Sequence, residues 1–207
     1  RNKLLKELYL HPDYREVLDV LDMQLVQYGS ALIQRRQTFA EELGKIVHRI
    51  HSQLSGGQEE MELKYEPNVT VDAFAQMLFA IRERVLRLKT TAKGPHRDVI
   101  SFVVNGVDIR KFGSQGQQRT AALSLKLSEI ELVKRLIGDT PVLLLDDVLS
   151  ELDSGRQNYL LNSIENIQTL ITCTGLDEFV NHRFSINRIY KVTDGSVTVE
   201  NKQEADR

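Results

Sequence analysis

Val142-Leu143-Leu144-Leu145-Asp146-Asp147-Val148-Leu149-Ser150-Glu151-Leu152-Asp153 is the stretch that decides the fold of this 207-residue chain. The apolar run Val142–Leu145 predicts a strand covered on both faces, as parallel strands between helices are. An acid at the C-terminal edge of such a strand lies where ligands bind in open α/β sheets. There Asp146 can hold Mg²⁺ through water, and Asp147 can orient or deprotonate an attacking water. Ser150, Leu152 and Asp153 make a Ser-x-Leu-Asp turn, and Asp153 can cap a helix over Ser154–Asn166.

Upstream, Phe112-Gly113-Ser114-Gln115-Gly116-Gln117-Gln118-Arg119 precedes a helix predicted over Gln117–Leu136, with Leu123, Leu127, Ile130, Val133 and Ile137 on its buried side. Glycines let backbone approach a phosphate, and a helix start offers free N–H groups and a positive dipole end. Gly138–Pro141 stops this helix, and Leu170–Cys173 predicts a further short strand. Strand–helix–strand alternation makes the second half an α/β layer with a parallel sheet. Val99–Val104, Asn105-Gly106 and Val107–Ile109 predict one hairpin, and Arg188–Val192, Asp194-Gly195 and Val197–Val199 another. The last seven residues are polar and read as frayed.

The first half reads mainly as helix. Asp13 is a candidate N-cap, and Val17, Leu21, Leu25, Tyr28, Leu32, Phe39, Leu43, Ile46, Ile50 and Leu54 recur at helical spacing, with a polar gap at Arg35 and Arg36. A helix over Asp13–Ser52 would be about 60 Å long, which suggests a projecting arm or a helical hairpin, beside the plainer reading of a helix in a bundle. Met61, Leu63 and Tyr65 alternate with charged residues as in a half-buried strand. A helix over Val71–Leu88 ends in Arg82, Arg84, Arg87 and Lys89, which could touch phosphates or form a solvated face.

Composition sets outer bounds. Lys plus Arg is 27 and Asp plus Glu 29, a net charge of −2, so a uniformly basic nucleic-acid binder is excluded and a local basic patch is not. The single cysteine, Cys173, excludes a disulfide framework and a thiolate zinc site and suits a reducing cytosol. His11, His48, His51 and His182 show no ligand spacing. No apolar run approaches the ~20 residues that span a bilayer. There is no signal-peptide pattern and no internal repeat, and a chain opening on Arg1 within a helical pattern reads as a fragment.

The segment from Val142 to Asp153 resembles the Walker-B and D-loop segment of ABC-type ATPases, with Asp147 where Glu is usual, and residues 112–119 look like the ABC signature. Leu54-Ser55-Gly56-Gly57-Gln58 matches the ABC-transporter signature literally, yet it ends a helix where a signature starts one, so it is read as a helix stop. Four pieces together resemble the RecF family, bacterial recombination and gap-repair ATPases of the SMC-like branch of the ABC superfamily. They are Gly94-Pro95-His96-Arg97-Asp98, residues 112–120, residues 143–153 and the long arm helices before them. In that family Asp147 in place of Glu is unremarkable.

The resemblance implies a fold and a function. The fold is a helical arm domain over residues 1–93 followed by the signature and Walker-B lobe over 94–207. ATP and Mg²⁺ would be sandwiched in an ATP-dependent homodimer. Ser114, Gln115, Gly116 and Gln117 would grip the γ-phosphate in trans, Asp146 would hold Mg²⁺, Asp147 would position water, and Ser150, Leu152 and Asp153 would form the D-loop. The protein would be a cytoplasmic, DNA-binding participant in DNA replication, recombination, repair and the SOS response, acting at single-stranded gaps or duplex junctions with RecO and RecR to load RecA.

Two departures stand out. No Gly-x-x-x-x-Gly-Lys-Ser/Thr occurs, so the phosphate-cradling lysine loop is absent from this chain, which is then expected to be inactive alone. Thr172-Cys173-Thr174 stands where many ABC ATPases carry a switch histidine, leaving Thr172 or Thr174 as the γ-phosphate sensor. His96 and Arg97 could face nucleotide or the second subunit, or pin a turn after Pro95.

Three rival readings remain. One is a non-catalytic scaffold for DNA or RecR with a degenerate ATPase lobe. Another is an SMC-like or RecN-like clamp, whose coiled coils would be far longer than this arm. The third is a transporter subunit, which rests only on Leu54–Gln58. The reading requires Gly113–Arg119 to lie on the surface; burial of that stretch in the interior would end it.

Overall fold

In a computed structural model of the chain, the described residues are 1–8, 10–149, 152–173 and 186–200. Ser150 and Thr174 lie outside them, as do His182 and the polar tail. Two compact units emerge, Arg1–Ile137 and Gly138–Arg207. The boundary expected after residue 93 runs through the first of these, because a strand from one side of it pairs with a strand from the other.

That first unit is built on α2 (Arg15–Leu54), one unbroken helix of 40 residues, preceded by α1 (Asn2–Glu7). At 1.5 Å per residue α2 is about 60 Å long, and within Arg15–Leu54 it forms no hairpin. Asp13 does not cap it. Asp13 sits in a 3₁₀ turn over Pro12–Tyr14, and the cap position falls on Tyr14 with no side-chain bond.

The apolar stripe is correct from Leu43 to Leu54 and at the half-buried Leu21 and Leu25, the latter packed on the core, but is displaced by one residue at Val17, Tyr28 and Leu32. Leu18, Gly29 and Ile33 are buried, while Val17, Tyr28, Leu32 and Phe39 are exposed. The reason is a close approach at a residue with no side chain. A Cβ on Gly29 would lie 2.6 Å from the Phe74 ring, so the helix turns its glycine, and not its tyrosine, toward the core. Ile33 packs there with Val69, Phe74 and Leu78, and Leu18 packs with Leu5 and Val85.

Strand β1 (Met61–Glu66) pairs antiparallel with β2 (Val99–Val104), from Met61 opposite Val104 to Glu66 opposite Val99, and β2 pairs with β3 (Val107–Asp108). Asn105 and Gly106 both have positive φ, 48° and 83°, the geometry of a two-residue hairpin turn. The helix expected over Val71–Leu88 is instead two, α3 (Phe74–Ala80) and α4 (Arg82–Leu88), separated by the non-helical backbone of Ile81.

One buried carboxylate ties these parts together. Asp98, 3% exposed, accepts hydrogen bonds from the Tyr65 hydroxyl and the Asn68 N–H, and pairs with Arg36 at 3.2 Å. Arg36 donates as well to the Pro95 carbonyl. The polar gap in the α2 stripe is therefore one half of a clamp on the Gly94–Asp98 turn. Burial, and then the bond to Asp98, push the Tyr65 phenol up to about 12. His96 bonds the Thr91 carbonyl at 3.1 Å through Nε2, so it pins the turn; Arg97 is exposed.

Helix α5 (Ile109–Phe112), capped by Asp108, leads into α6 (Gln115–Ile137), which Gly138 ends with φ 75°. The buried face of α6 carries Thr120, Ala121, Leu123, Ser124, Leu127, Ser128 and Leu132. Ile130 and Val133 are only half-buried, and Ile137 is 72% exposed. A face of small hydroxyl residues lets α6 lie close against α2, and a search for large apolar residues passes over it.

The second unit contains β4 (Leu143–Asp146) and β5 (Thr169–Thr172), parallel and in register from Leu143–Thr169 to Asp146–Thr172, with α7 (Ser154–Ser163) between them. The hairpin β6 (Ile189–Thr193) and β7 (Ser196–Glu200) follows, turning at Asp194 and Gly195. Among the described residues, only one face of strand β4 is covered. Leu143 and Leu145 are buried, but Leu144 is 72% exposed, and Val142 and Leu170 are exposed too. Among the described residues β4 has one strand neighbour, and none of them covers its second face.

Asp98→Ala should lower the stability of the first unit by about 2 kcal/mol, since it strands a half-buried phenol, an amide N–H and a half-exposed guanidinium. Urea unfolding followed by circular dichroism measures this; a change below about 0.5 kcal/mol would show that the clamp carries no stability.

Candidate nucleotide-contact loop and acidic strand end

The signature-like loop is built by two short-range devices. Gly113 closes α5 by donating from its N–H to the Ile109 carbonyl at 3.1 Å. A Cβ there would lie 2.6 Å from that same carbonyl oxygen, so only glycine fits. Ser114 then opens α6 with a reciprocal capping box. The Gln117 N–H donates to Ser114 Oγ at 3.2 Å, and the Ser114 N–H donates to Gln117 Oε1 at 3.0 Å. The Ser-x-x-Gln spacing carries this signal, which a reading confined to phosphate contacts leaves unused.

Ser114, Gln115 and Gly116 are exposed and Gln117 is half-buried. Residues 113–119 thus line the surface, as the sequence reading requires. Ser114 Oγ accepts one bond and keeps its own O–H to give. Gly116 contrasts with Gly113: a Cβ on it would meet nothing nearer than Ser114 Oγ at 4.0 Å. Among the described residues nothing demands glycine at 116.

At the end of β4, Asp146 and Asp147 are both exposed. Asp147 takes a left-handed backbone, φ 51°, unusual for a residue other than glycine. Its N–H is held by both the Thr172 carbonyl and the Thr172 hydroxyl, each at 3.1 Å. That hydroxyl donates in turn to Asp146 Oδ1. The structure therefore joins three of the predicted residues, Asp146, Asp147 and Thr172, in one hydrogen-bonded group across two parallel strands. Since Oδ1 is engaged, Oδ2 of Asp146 is the oxygen left to face a ligand.

Asp153 caps α7, accepting from the Arg156 N–H at 3.0 Å and pairing with the Arg156 guanidinium. The Arg156 N–H, above all, holds the Asp153 carboxyl below its ordinary value. Leu152, half-buried, donates from its N–H to the Leu149 carbonyl at 3.3 Å. Of the basic residues on α4, Arg82 is paired with Asp19 on α2. Arg84, Arg87 and Lys89 are exposed, and Lys89 ends the helix with φ 52°. Leu54–Gln58 is a helix stop, with Gly56 at φ 64° and Gly57 at φ 78°.

Comparison with known proteins follows the same lines. No family model matches the chain. It is 57% identical over 203 residues to the DNA replication and repair protein RecF of Lachnospira eligens, covering 97% of this chain and 56% of that one. It is 57% identical over 199 residues to the RecF of Agathobacter rectalis, covering 96% and 55%. The solved structure of the recombination mediator protein RecF with ATP superposes with a TM-score of 0.82 at 32% identity, over 97% of this chain and 55% of that chain. The chain thus spans about half the length of the relatives it matches.

Two predictions follow from the local geometry. Gly113→Ala should cost about 2 kcal/mol or more through backbone overlap, whereas Gly116→Ala should leave stability level or raise it by up to about 1 kcal/mol; thermal melts of the two variants decide. Asp153→Ala should cost α7 about 1 kcal/mol. Because the folded carboxyl is depressed, this contribution is complete above the unfolded value near 3.8 and fades as pH falls through the folded value. Parent and variant melts should converge in acid; a constant gap would contradict the cap.

Proposed function

This chain is RecF-type over 97% of its length, and on that premise we propose that it supplies the signature and Walker-B half of an ATP-driven dimer acting in DNA replication and repair. The observation that carries the proposal is the exposed Ser114 loop at the start of a 23-residue helix, with a glycine at 116 that packing among the described residues does not require. A glycine without an internal reason leaves room for something from outside, and a helix start favours an anion.

In this reading Ser114, Gln115, Gly116 and Gln117 meet the γ-phosphate of ATP held by a second subunit. The free O–H of Ser114 and the open N–H groups of the first turn are the donors. Asp146 fits Mg²⁺ through its unengaged oxygen. Among the described residues no three His, Cys, Asp or Glu side chains form a metal cage, and Mg²⁺ on one or two carboxylates draws its other ligands from phosphate and water. The ion would neutralise phosphate charge. Asp147 orients the attacking water, and its strained backbone, held by Thr172, fixes where the carboxylate points. Thr172 touches both acids, which supports it as the γ-phosphate sensor in place of histidine.

Ser150, Leu152 and Asp153 form the D-loop. Arg84, Arg87 and Lys89, with Arg82 tied to Asp19, offer the DNA backbone an exposed basic edge. RecO and RecR as partners, and RecA loading at gaps, extend the same reading, as does action in the cytoplasm. Among the described residues no helix is long and apolar enough to cross a membrane.

Ser114→Arg in the full-length protein should abolish ATP-driven dimerisation in sedimentation and leave monomer ATP affinity unchanged; unaltered dimerisation would refute the trans contact. Asp147→Asn should cut turnover at least a hundredfold and preserve dimerisation, whereas normal repair by that variant would favour the non-catalytic scaffold. The 207-residue chain, which lacks the lysine loop, should show no ATP turnover.

A further inference from the structure

We propose that Glu59 is a positioning residue for the signature loop, the link through which the end of the long helix α2 sets the conformation of Ser114 and Gln117. This inference rests on the trans role given above to that loop.

The side-chain amide of Gln117 is used at both ends. Its oxygen accepts from the Ser114 N–H, and its Nε2 donates to Glu59 Oε1 at 3.0 Å. Glu59 is a carboxylate and can only accept, so the amide cannot turn over without losing both bonds. The other carboxylate oxygen, Oε2, accepts from His51 Nε2 at 3.2 Å. His51 is fully buried on α2, and its Nδ1 meets Ser124 Oγ on α6 at 2.9 Å. A continuous hydrogen-bonded path therefore runs from the interior seam of α2 and α6 to the exposed serine.

Glu59 is fixed from behind as well. Its N–H donates to Ser55 Oγ at 3.2 Å. On either side of it, Asn105 of the β2–β3 turn accepts from the Glu60 N–H at 2.9 Å and donates to the Gln58 carbonyl at 3.4 Å. The Leu54–Gln58 stretch, a signature in letters only, thus has a structural task. Its two left-handed glycines reverse the chain so that Glu59, two residues after them, reaches the true loop. The path also accounts for glutamine at 117. Glutamate would complete the capping box equally well but would set a second carboxylate against Glu59.

The test uses the full-length protein. Glu59→Ala should weaken ATP-driven dimerisation about tenfold and leave monomer ATP affinity unchanged. Gln117→Ala, which also removes the capping bond to Ser114, should weaken it at least as much, and the double variant should be no worse than Gln117→Ala alone, the signature of a shared interaction. In nucleotide-free protein, amide hydrogen exchange at Ser114 and Gln117 should quicken in Glu59→Ala, while Leu145 in β4 stays unchanged. Gln117→Glu alone should lose dimerisation, and Gln117→Glu combined with Glu59→Gln, which restores one donor facing one carboxylate, should recover it; a folding defect does not predict that recovery, so the exchange decides even if Glu59→Ala misfolds. Dimerisation by Glu59→Ala at the parental level, multiplicative losses in the double variant, or no recovery in the exchange would each overturn the proposal. Ser114→Arg run alongside separates the two readings. If it blocks dimerisation while Glu59→Ala does not, only the positioning role fails; if Ser114→Arg still dimerises, the trans contact fails and the positioning role falls with it.

Discussion

The seam between α2 and α6 is the contact on which the first unit depends. It is made by short hydroxyl side chains that satisfy their own polarity. The hydroxyls of Thr120, Ser124 and Ser128 lie 2.8, 2.7 and 2.6 Å from the Gly116, Thr120 and Ser124 carbonyls one turn back. Thr120 and Ser128 are satisfied within their own helix and Ser124 is shared with His51 of α2, so the face can be buried without an orphaned donor. From α2, His51 Nδ1 meets the Ser124 hydroxyl of that face at 2.9 Å, and Arg49 pairs with Glu131 farther along α6. The N-terminus of α6 is thereby placed, and with it the candidate nucleotide-contact loop.

Much of the local structure was legible in the chain. Asn105-Gly106 and Asp194-Gly195 mark their turns because left-handed backbone favours those residues. Gly138 marks the end of α6 for the same reason, and Asp153 caps α7 as its position predicts. The parallel pairing of β4 with β5 follows from strand–helix–strand order. These signals are local, and local chemistry decides them.

What escaped was set by partners distant in sequence. Arg36 reads as a gap in an apolar stripe until Asp98, 62 positions on, is seen beside it. The rotation of the N-terminal half of α2 depends on Phe74 pressing against Gly29, which no periodicity of α2 alone contains. The two-sided burial expected of β4 assumed covering layers on both faces, and among the described residues its outward side chains have none. At the candidate site the acids, Thr172 and the serine loop could be found by motif. Glu59 and His51 could not, because neither belongs to a motif and each acts through the residue it touches.

The bare side of β4 has a practical consequence for anyone dissecting the gene. Gly138 is where the compact units divide, and it looks like a natural place to cut. A polypeptide starting there would display Val142, Leu144 and Leu170 together on the outer rungs of a ladder that, among the described residues, has two strands and unpaired edges. Sticky rungs beside open edges are a template for stacking one molecule on the next. Such a piece is a candidate for inclusion bodies, and charged replacements at Leu144 and Leu170 are the first remedy to try.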